Sequence, residues 1–325
     1  MSDRFYLRTP GTRATFIPHP QGTPGLFRPA EITINGHGLR GRVERDDDRL
    51  RVLAIGGSTV EDTMLNDEDT WCGRLEARLG PRAWIANAGR AGCTARHHAI
   101  QLDRLLPQLP RFDVVLLLCG LNDMLAGSGA HGVEREPTLR TCFGEGPGVP
   151  RPESIGGTHP LGEFFVQWKL RRQRVEPDDW LHQAPTGLAG HLERYAATLG
   201  QIAEIVRQLG GGARLIFVTQ PSLWRSDLTA DEQRRYLYAG GLDDPGRWAR
   251  DAHTPWYDLP TLAGMLHAYN AVMRRTAEPC GARCIDLAAQ LPQQVANYYD
   301  DFHFSVAGAD AVAEIVARAL AQMSA

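Results

Sequence analysis

Apolar residues along this chain fall in short continuous runs that alternate with stretches of helical period. Residues 51–56, 83–87, 112–119, 214–219 and 283–287 read as strands. The clearest is Phe112-Asp113-Val114-Val115-Leu116-Leu117-Leu118-Cys119, a run of the kind a parallel sheet covered on both faces requires. Trp71, Leu75 and Leu79 predict a helix over 68–79, and further helices are expected over about 95–106, 189–209, 261–277 and 305–322. Five strands alternating with helices argue for an α/β fold built on one doubly wound, mostly parallel sheet.

Three regions break this rhythm. Residues 1–48 are rich in Pro, Gly and Arg and read as an extended arm with short strands, packed on a main domain over 49–325. Residues 124–187 show many glycines and prolines and little periodicity. Residues 221–260 carry Trp224, Tyr236, Tyr238, Trp248, Trp256 and Tyr257 in a polar context. Long insertions after strand ends lie over the carboxyl edge of such a sheet, where ligands bind. They read either as a lid or substrate wall, or as surface loops packed by their own aromatics.

Composition narrows the function classes. With 325 residues and 43% hydrophobic content the chain can bury a large core. The net charge of −3, without long charge blocks, gives no sign of nucleic-acid or membrane-surface partners. Lys169 is the only lysine beside 34 scattered arginines. The six cysteines form no CxxC pair and no zinc spacing, and Cys119 reads as a small core residue. No apolar segment opens the chain and no stretch of 18 apolar residues occurs, so a cytoplasmic protein is expected. His97 and His98 are adjacent on a predicted helix and point in different directions, against a shared metal; neither metal nor cofactor is expected. Tyr269-Asn270, on the helix before the last strand, reads by default as core packing, with a position facing the lid as the alternative.

Chemistry-bearing residues cluster at the ends of strands. Ser58 follows the first strand through Gly56-Gly57, so its hydroxyl emerges at the carboxyl edge. After the second strand, Asn87-Ala88-Gly89-Arg90-Ala91-Gly92-Cys93-Thr94 offers backbone N–H groups unobstructed by side chains, as an oxyanion hole needs. After the third, Gly120-Leu121-Asn122-Asp123 places an amide at the same edge; Asn122 or Asp123 otherwise caps the next element. Asp300-Asp301-Phe302-His303 precedes the last helix. An aspartate can hold one imidazole nitrogen and leave the other basic, and a serine hydroxyl is a poor nucleophile until such a base takes its proton.

Together, Gly56-Gly57-Ser58-Thr59, Asn87-Ala88-Gly89-x-x-Gly92-x-Thr94, Gly120-Leu121-Asn122-Asp123 and Asp300-x-x-His303-Phe304-Ser305 resemble the SGNH hydrolase superfamily, also called GDSL-type esterases, over roughly residues 50–323. Asn35-Gly36-His37-Gly38-Leu39-Arg40-Gly41 is similar to a segment of a bacterial subset with Gly-Gly-Ser-Thr. The resemblance implies a flavodoxin-like three-layer α/β/α sandwich. It also implies Ser58 as nucleophile, His303 and Asp300 as its partners, and Ser58 N–H, Gly92 N–H and the Asn122 amide as oxyanion donors. Spacing selects Asp300 over Asp301. Two positions depart from the pattern: Gly57 stands where an aspartate is common and Asp62 where a glycine is. Substrate preferences therefore do not carry over.

A Gly-x-Ser-x-Gly elbow is absent, because Val60 occupies the last glycine position, and no dinucleotide or Walker loop follows a strand. The expected activity is a serine esterase or deacylase that forms an acyl-enzyme with a small or sugar-linked ester, or a thioester. An acyltransferase using the same residues and a catalytically silent binding module are the alternatives.

Overall fold

In the computed structural model, residues 4–129, 137–143, 157–241 and 255–324 are described. Five strands form the central sheet: β1 (Leu50–Gly56), β2 (Ala83–Gly89), β3 (Val114–Leu118), β4 (Arg214–Val218) and β5 (Arg283–Ile285). All neighbours run parallel in the order β2-β1-β3-β4-β5. Register aligns their ends: Gly56 lies level with Gly89 and Leu118, and Leu118 with Val218. One straight carboxyl edge results. Helices Trp71–Leu79 and Val306–Ser324 pack together, while Leu188–Leu209 packs on both Ala95–Leu105 and Leu259–Ala277. With helices on both faces the strands must be apolar throughout, and every residue of β2 and β3 is buried. This is the flavodoxin-like α/β architecture the alternating pattern and the resemblance led to expect.

Two of the helices flanking the sheet start where a side chain satisfies a free N–H group. Thr70 Oγ1 accepts the Gly73 N–H at 3.0 Å, and the Asp258 carboxylate accepts that of Thr261 at 2.9 Å. Cys119 is buried beside Tyr195.

Outside the sheet, the structure adds elements that periodicity did not reveal. Residues 161–172, expected to be irregular, form the helix Leu161–Arg172. Its apolar residues are spread around the axis, so no single face stands out in the sequence. Phe165 and Trp168 are buried, whereas Phe164 and Leu170 are 40% exposed. A second short helix, Ala230–Tyr236, starts at a capping box in which Thr229 and Glu232 cap each other's backbone N–H groups. The Thr229-x-x-Glu232 spacing was the signal available for it.

The arm and the insertions are joined by short strands. Arg13–Phe16 pairs with Ala30–Thr33 on one side and with Gly157–His159 on the other. Trp180–Leu181 pairs with Trp256–Tyr257. Lys169 Nζ, buried, donates to Gly22 O at 2.6 Å and to Arg235 O at 2.5 Å, tying the arm and both insertions together. Trp224, Tyr236, Tyr238, Trp256 and Tyr257 are all buried, and Trp248 lies outside the described residues. No helix of the described residues is long and apolar enough to cross a membrane.

Candidate active site

β1 ends at Gly56, and the chain turns directly into a one-turn helix, Ser58–Glu61. A Cβ at Gly57 would lie 2.6 Å from Asn122 Nδ2, so glycine there lets the Asn122 amide lie close against the turn that carries Ser58. Gly57→Ala is expected to displace that amide and lower kcat on the order of 100-fold in a folded protein. Steady-state kinetics with a melting curve would check this; wild-type kcat would contradict it.

Ser58 Oγ lies 2.7 Å from His303 Nε2, and His303 Nδ1 lies 2.7 Å from Asp300 Oδ2. A carboxylate can only accept, so Nδ1 carries the proton and Nε2 is left to accept from the serine hydroxyl. The Asp300 carboxylate is fixed in turn, since its Oδ1 accepts the N–H groups of Phe302 at 3.0 Å and His303 at 2.8 Å. Asp300 is fully buried and His303 nearly so. Rings confine the imidazole: Tyr299 stacks on it at 5.4 Å between centroids, Phe302 lies at 4.7 Å, and Phe165 presents its edge at 6.0 Å. Phe165 comes from the unexpected helix, so the first insertion covers the histidine.

Asp301 faces away from the imidazole. Its carboxylate accepts from Trp224 Nε1 at 2.7 Å, Tyr238 N at 2.6 Å and Ala239 N at 3.2 Å. Burial raises its pKa, opposed by the charge of Arg172. Adjacent aspartates thus serve different neighbours: Asp300 holds the histidine and Asp301 holds the second insertion.

The loops after β2 and β3 complete the edge. Gly92 is exposed with φ +75°, a conformation glycine adopts without strain. Among the described residues neither the Gly92 N–H nor the Ser58 N–H has a hydrogen-bond partner. Asn122 Nδ2 donates one hydrogen to Cys93 O at 2.9 Å, which leaves the other available to a ligand. Both Asp123 carboxylate oxygens accept the Ala95 N–H, at 2.9 and 3.1 Å, so Asp123 caps the helix after β2 rather than its own. Thr59 Oγ1 donates to Gln220 Oε1 at 2.9 Å, and Gln220 is held through its backbone by Asn270. Asn270 thus joins β4 to the serine helix from within the core.

Asp62 explains its own departure from the pattern. It has φ +50°, the left-handed region that favours glycine and that aspartate tolerates. The side chain is fully buried, and neither carboxyl oxygen has a hydrogen-bond partner among the described residues. Burial pushes its pKa well above the ordinary 3.8, opposed by the charge of Arg40. Arg40 lies in the Asn35–Gly41 segment and donates to the carbonyls of Glu61, Asp62 and Leu65 and to the Asp67 carboxylate. The folded state therefore keeps the Asp62 proton at pH values where the unfolded chain has lost it. That contribution to stability is complete below pH 3.8 and is lost as pH rises through the folded value. Asp62→Asn should gain melting temperature relative to the wild-type protein on going from pH 4 to about 7. A difference constant across that range would count against the assignment.

His97 Nδ1 lies 2.8 Å from Thr94 Oγ1, and His98 Nδ1 lies 2.8 Å from Gln101 Oε1. Burial lowers the His98 pKa to about 4. Among the described residues no group of His, Cys, Asp or Glu side chains is arranged to hold a metal ion.

The protein is a doubly wound parallel α/β sheet that carries a hydrogen-bonded Ser58–His303–Asp300 chain at its carboxyl edge. The chain belongs to the GDSL-like lipase/acylhydrolase family, whose sequence profile matches residues 54–311, and is an ester-hydrolysing enzyme. No curated protein shows significant similarity to it. A carbohydrate acetylesterase from Sinorhizobium meliloti superposes with a TM-score of 0.49 at 14% identity, over 85% of this chain and 100% of that chain. An aryl esterase from M. smegmatis superposes at 0.46 and 13%, over 84% of this chain and 99% of that chain. For a member of the lipolytic protein G-D-S-L family from Veillonella parvula the values are 0.47 and 12%, over 83% and 97%. The family assignment rests on the profile match.

Proposed function

We propose that the protein hydrolyses small-acyl esters, of simple or sugar alcohols, through an acyl-enzyme on Ser58. The observation that carries this reading is the unbroken chain from Ser58 Oγ through His303 to Asp300, each link 2.7 Å. His303 Nε2 takes the hydroxyl proton as Ser58 Oγ attacks the carbonyl carbon. The carbonyl oxygen becomes an oxyanion held by Ser58 N–H, Gly92 N–H and the Asn122 amide. Collapse of that adduct expels the alcohol, which leaves with the proton from His303. Water then attacks the acyl-enzyme by the same route and releases the acid. No step calls for a metal or cofactor. The six free thiols fit a cytoplasmic location for this reaction.

The crowding of Phe165, Tyr299 and Phe302 around His303 favours a compact acyl group. The experiment is turnover of acetyl to octanoyl esters of simple and sugar alcohols, with and without alcohol or amine acceptors. Free acid is expected in step with released alcohol, fastest for the shortest chains. Transfer product in place of acid would make the protein an acyltransferase, and the absence of turnover throughout would make it a binding module.

A further inference from the structure

Ser58 and Gly92 lie on loops from different strands, yet an acyl-transfer site needs nucleophile and donor held within a fraction of an ångström. Glu61 connects them. It ends the one-turn helix that Ser58 begins and is only 4% exposed. Its Oε2 accepts the Ala91 N–H at 2.8 Å, one residue before Gly92. Its Oε1 accepts from Arg8 Nε at 3.0 Å and from Arg8 Nη2. At the root of the loop, Gly89 packs so tightly that a Cβ would lie 2.1 Å from Glu61 N. Arg90 N–H donates to Gly56 O at 2.9 Å, and Arg90 Nη1 donates to Leu7 O at 2.8 Å. The N-terminal arm therefore reaches both parts through consecutive residues, Leu7 accepting from the loop at Arg90 and Arg8 donating to Glu61.

Such a carboxylate is costly to bury unless a counter-charge accompanies it. Arg8 is 7% exposed and supplies that charge from outside the sheet domain. An apolar pair of similar volume would fill the space without the charges. A carboxylate is retained where its second oxygen has a task, and that oxygen is bonded to the oxyanion loop.

We propose that Glu61 is a positioning residue that sets the Gly92 N–H relative to Ser58, with Arg8 of the N-terminal arm as its counter-charge. This rests on the reading of Gly92 as an oxyanion donor. The arm then supports the site from outside, through the charge that Arg8 brings to Glu61.

The test compares two charge-neutral double variants by kcat, KM and melting temperature on p-nitrophenyl acetate. Arg8→Met with Glu61→Gln keeps an acceptor for the Ala91 N–H; Arg8→Met with Glu61→Met removes it. The first should hold kcat within about threefold of wild type, and the second should lose about 10- to 100-fold at nearly unchanged KM and melting temperature. Equal kcat in the two folded variants overturns the proposal. Should the Met/Met protein fail to fold, Glu61→Asp serves instead. It keeps the charge for Arg8 but is one methylene too short for Ala91, and unchanged kcat there is equally fatal. Equal variants beside an inactive Ser58→Ala would remove only the Glu61 role. Turnover by Ser58→Ala would remove the site reading itself.

Discussion

Ser58→Ala should retain its fold and lose on the order of 10⁵- to 10⁶-fold in kcat. In the proposed mechanism Ser58 Oγ is the attacking atom, and the next groups along the hydrogen-bonded chain, His303 and Asp300, are buried. A methyl at this position breaks no other contact, because the Oγ bond to His303 is the single side-chain hydrogen bond of Ser58 among the described residues. The melting temperature should therefore stay within a few degrees of wild type. Ester turnover followed with and without the variant, at equal folded concentration, is the measurement. Residual activity within tenfold of wild type would place the nucleophile elsewhere.

The neighbouring aspartates give the second large effect, and it divides between two observables. Asp300→Asn should reduce kcat on the order of 10⁴-fold with the fold intact, because an amide in place of the carboxylate no longer fixes the Nδ1–H tautomer. Asp301→Ala should instead act on stability. It leaves the N–H groups of Trp224, Tyr238 and Ala239 without their acceptor in a fully buried position. Unmatched buried donors cost about 1–3 kcal/mol each and do not add fully, so a loss of about 3–5 kcal/mol is expected. Denaturant unfolding and kinetics on both variants test the division. Exchanged phenotypes, with Asp301→Ala stable but inactive and Asp300→Asn active but unstable, would reverse the roles.

How much of this was legible in the sequence depends on how local each signal is. The five strands show themselves because a parallel sheet buried on both faces demands continuous apolar runs, and the strand ends carry Ser58, Gly92 and Asn122 as contiguous motifs. Asp300 and His303 are three residues apart, so their pairing is also local. The helix Leu161–Arg172 was hidden because it is packed among the arm and both insertions and buries residues on several sides, Lys169 and Arg172 included. Glu61 and Arg8 stand 53 positions apart, and Asp301 and Trp224 stand 77 apart. In a sequence each of these charges looks like one more solvated surface group. Only the fold shows that they are buried, and burial is what gives them their consequences. Gly57 and Asp62 are an intermediate case. Both were visible as departures from the pattern, while their reasons, a close amide and a left-handed turn, are geometric.

The central claim is that Ser58 becomes covalently acylated with His303 as its base. The most direct measurement is labelling with a serine-directed fluorophosphonate, followed by peptide mass mapping of wild type and of Ser58→Ala. A single adduct on the peptide containing Ser58, absent from Ser58→Ala and strongly slowed by His303→Ala, is the predicted result. An adduct on any other residue, or a folded wild-type protein that takes up no label, would contradict it.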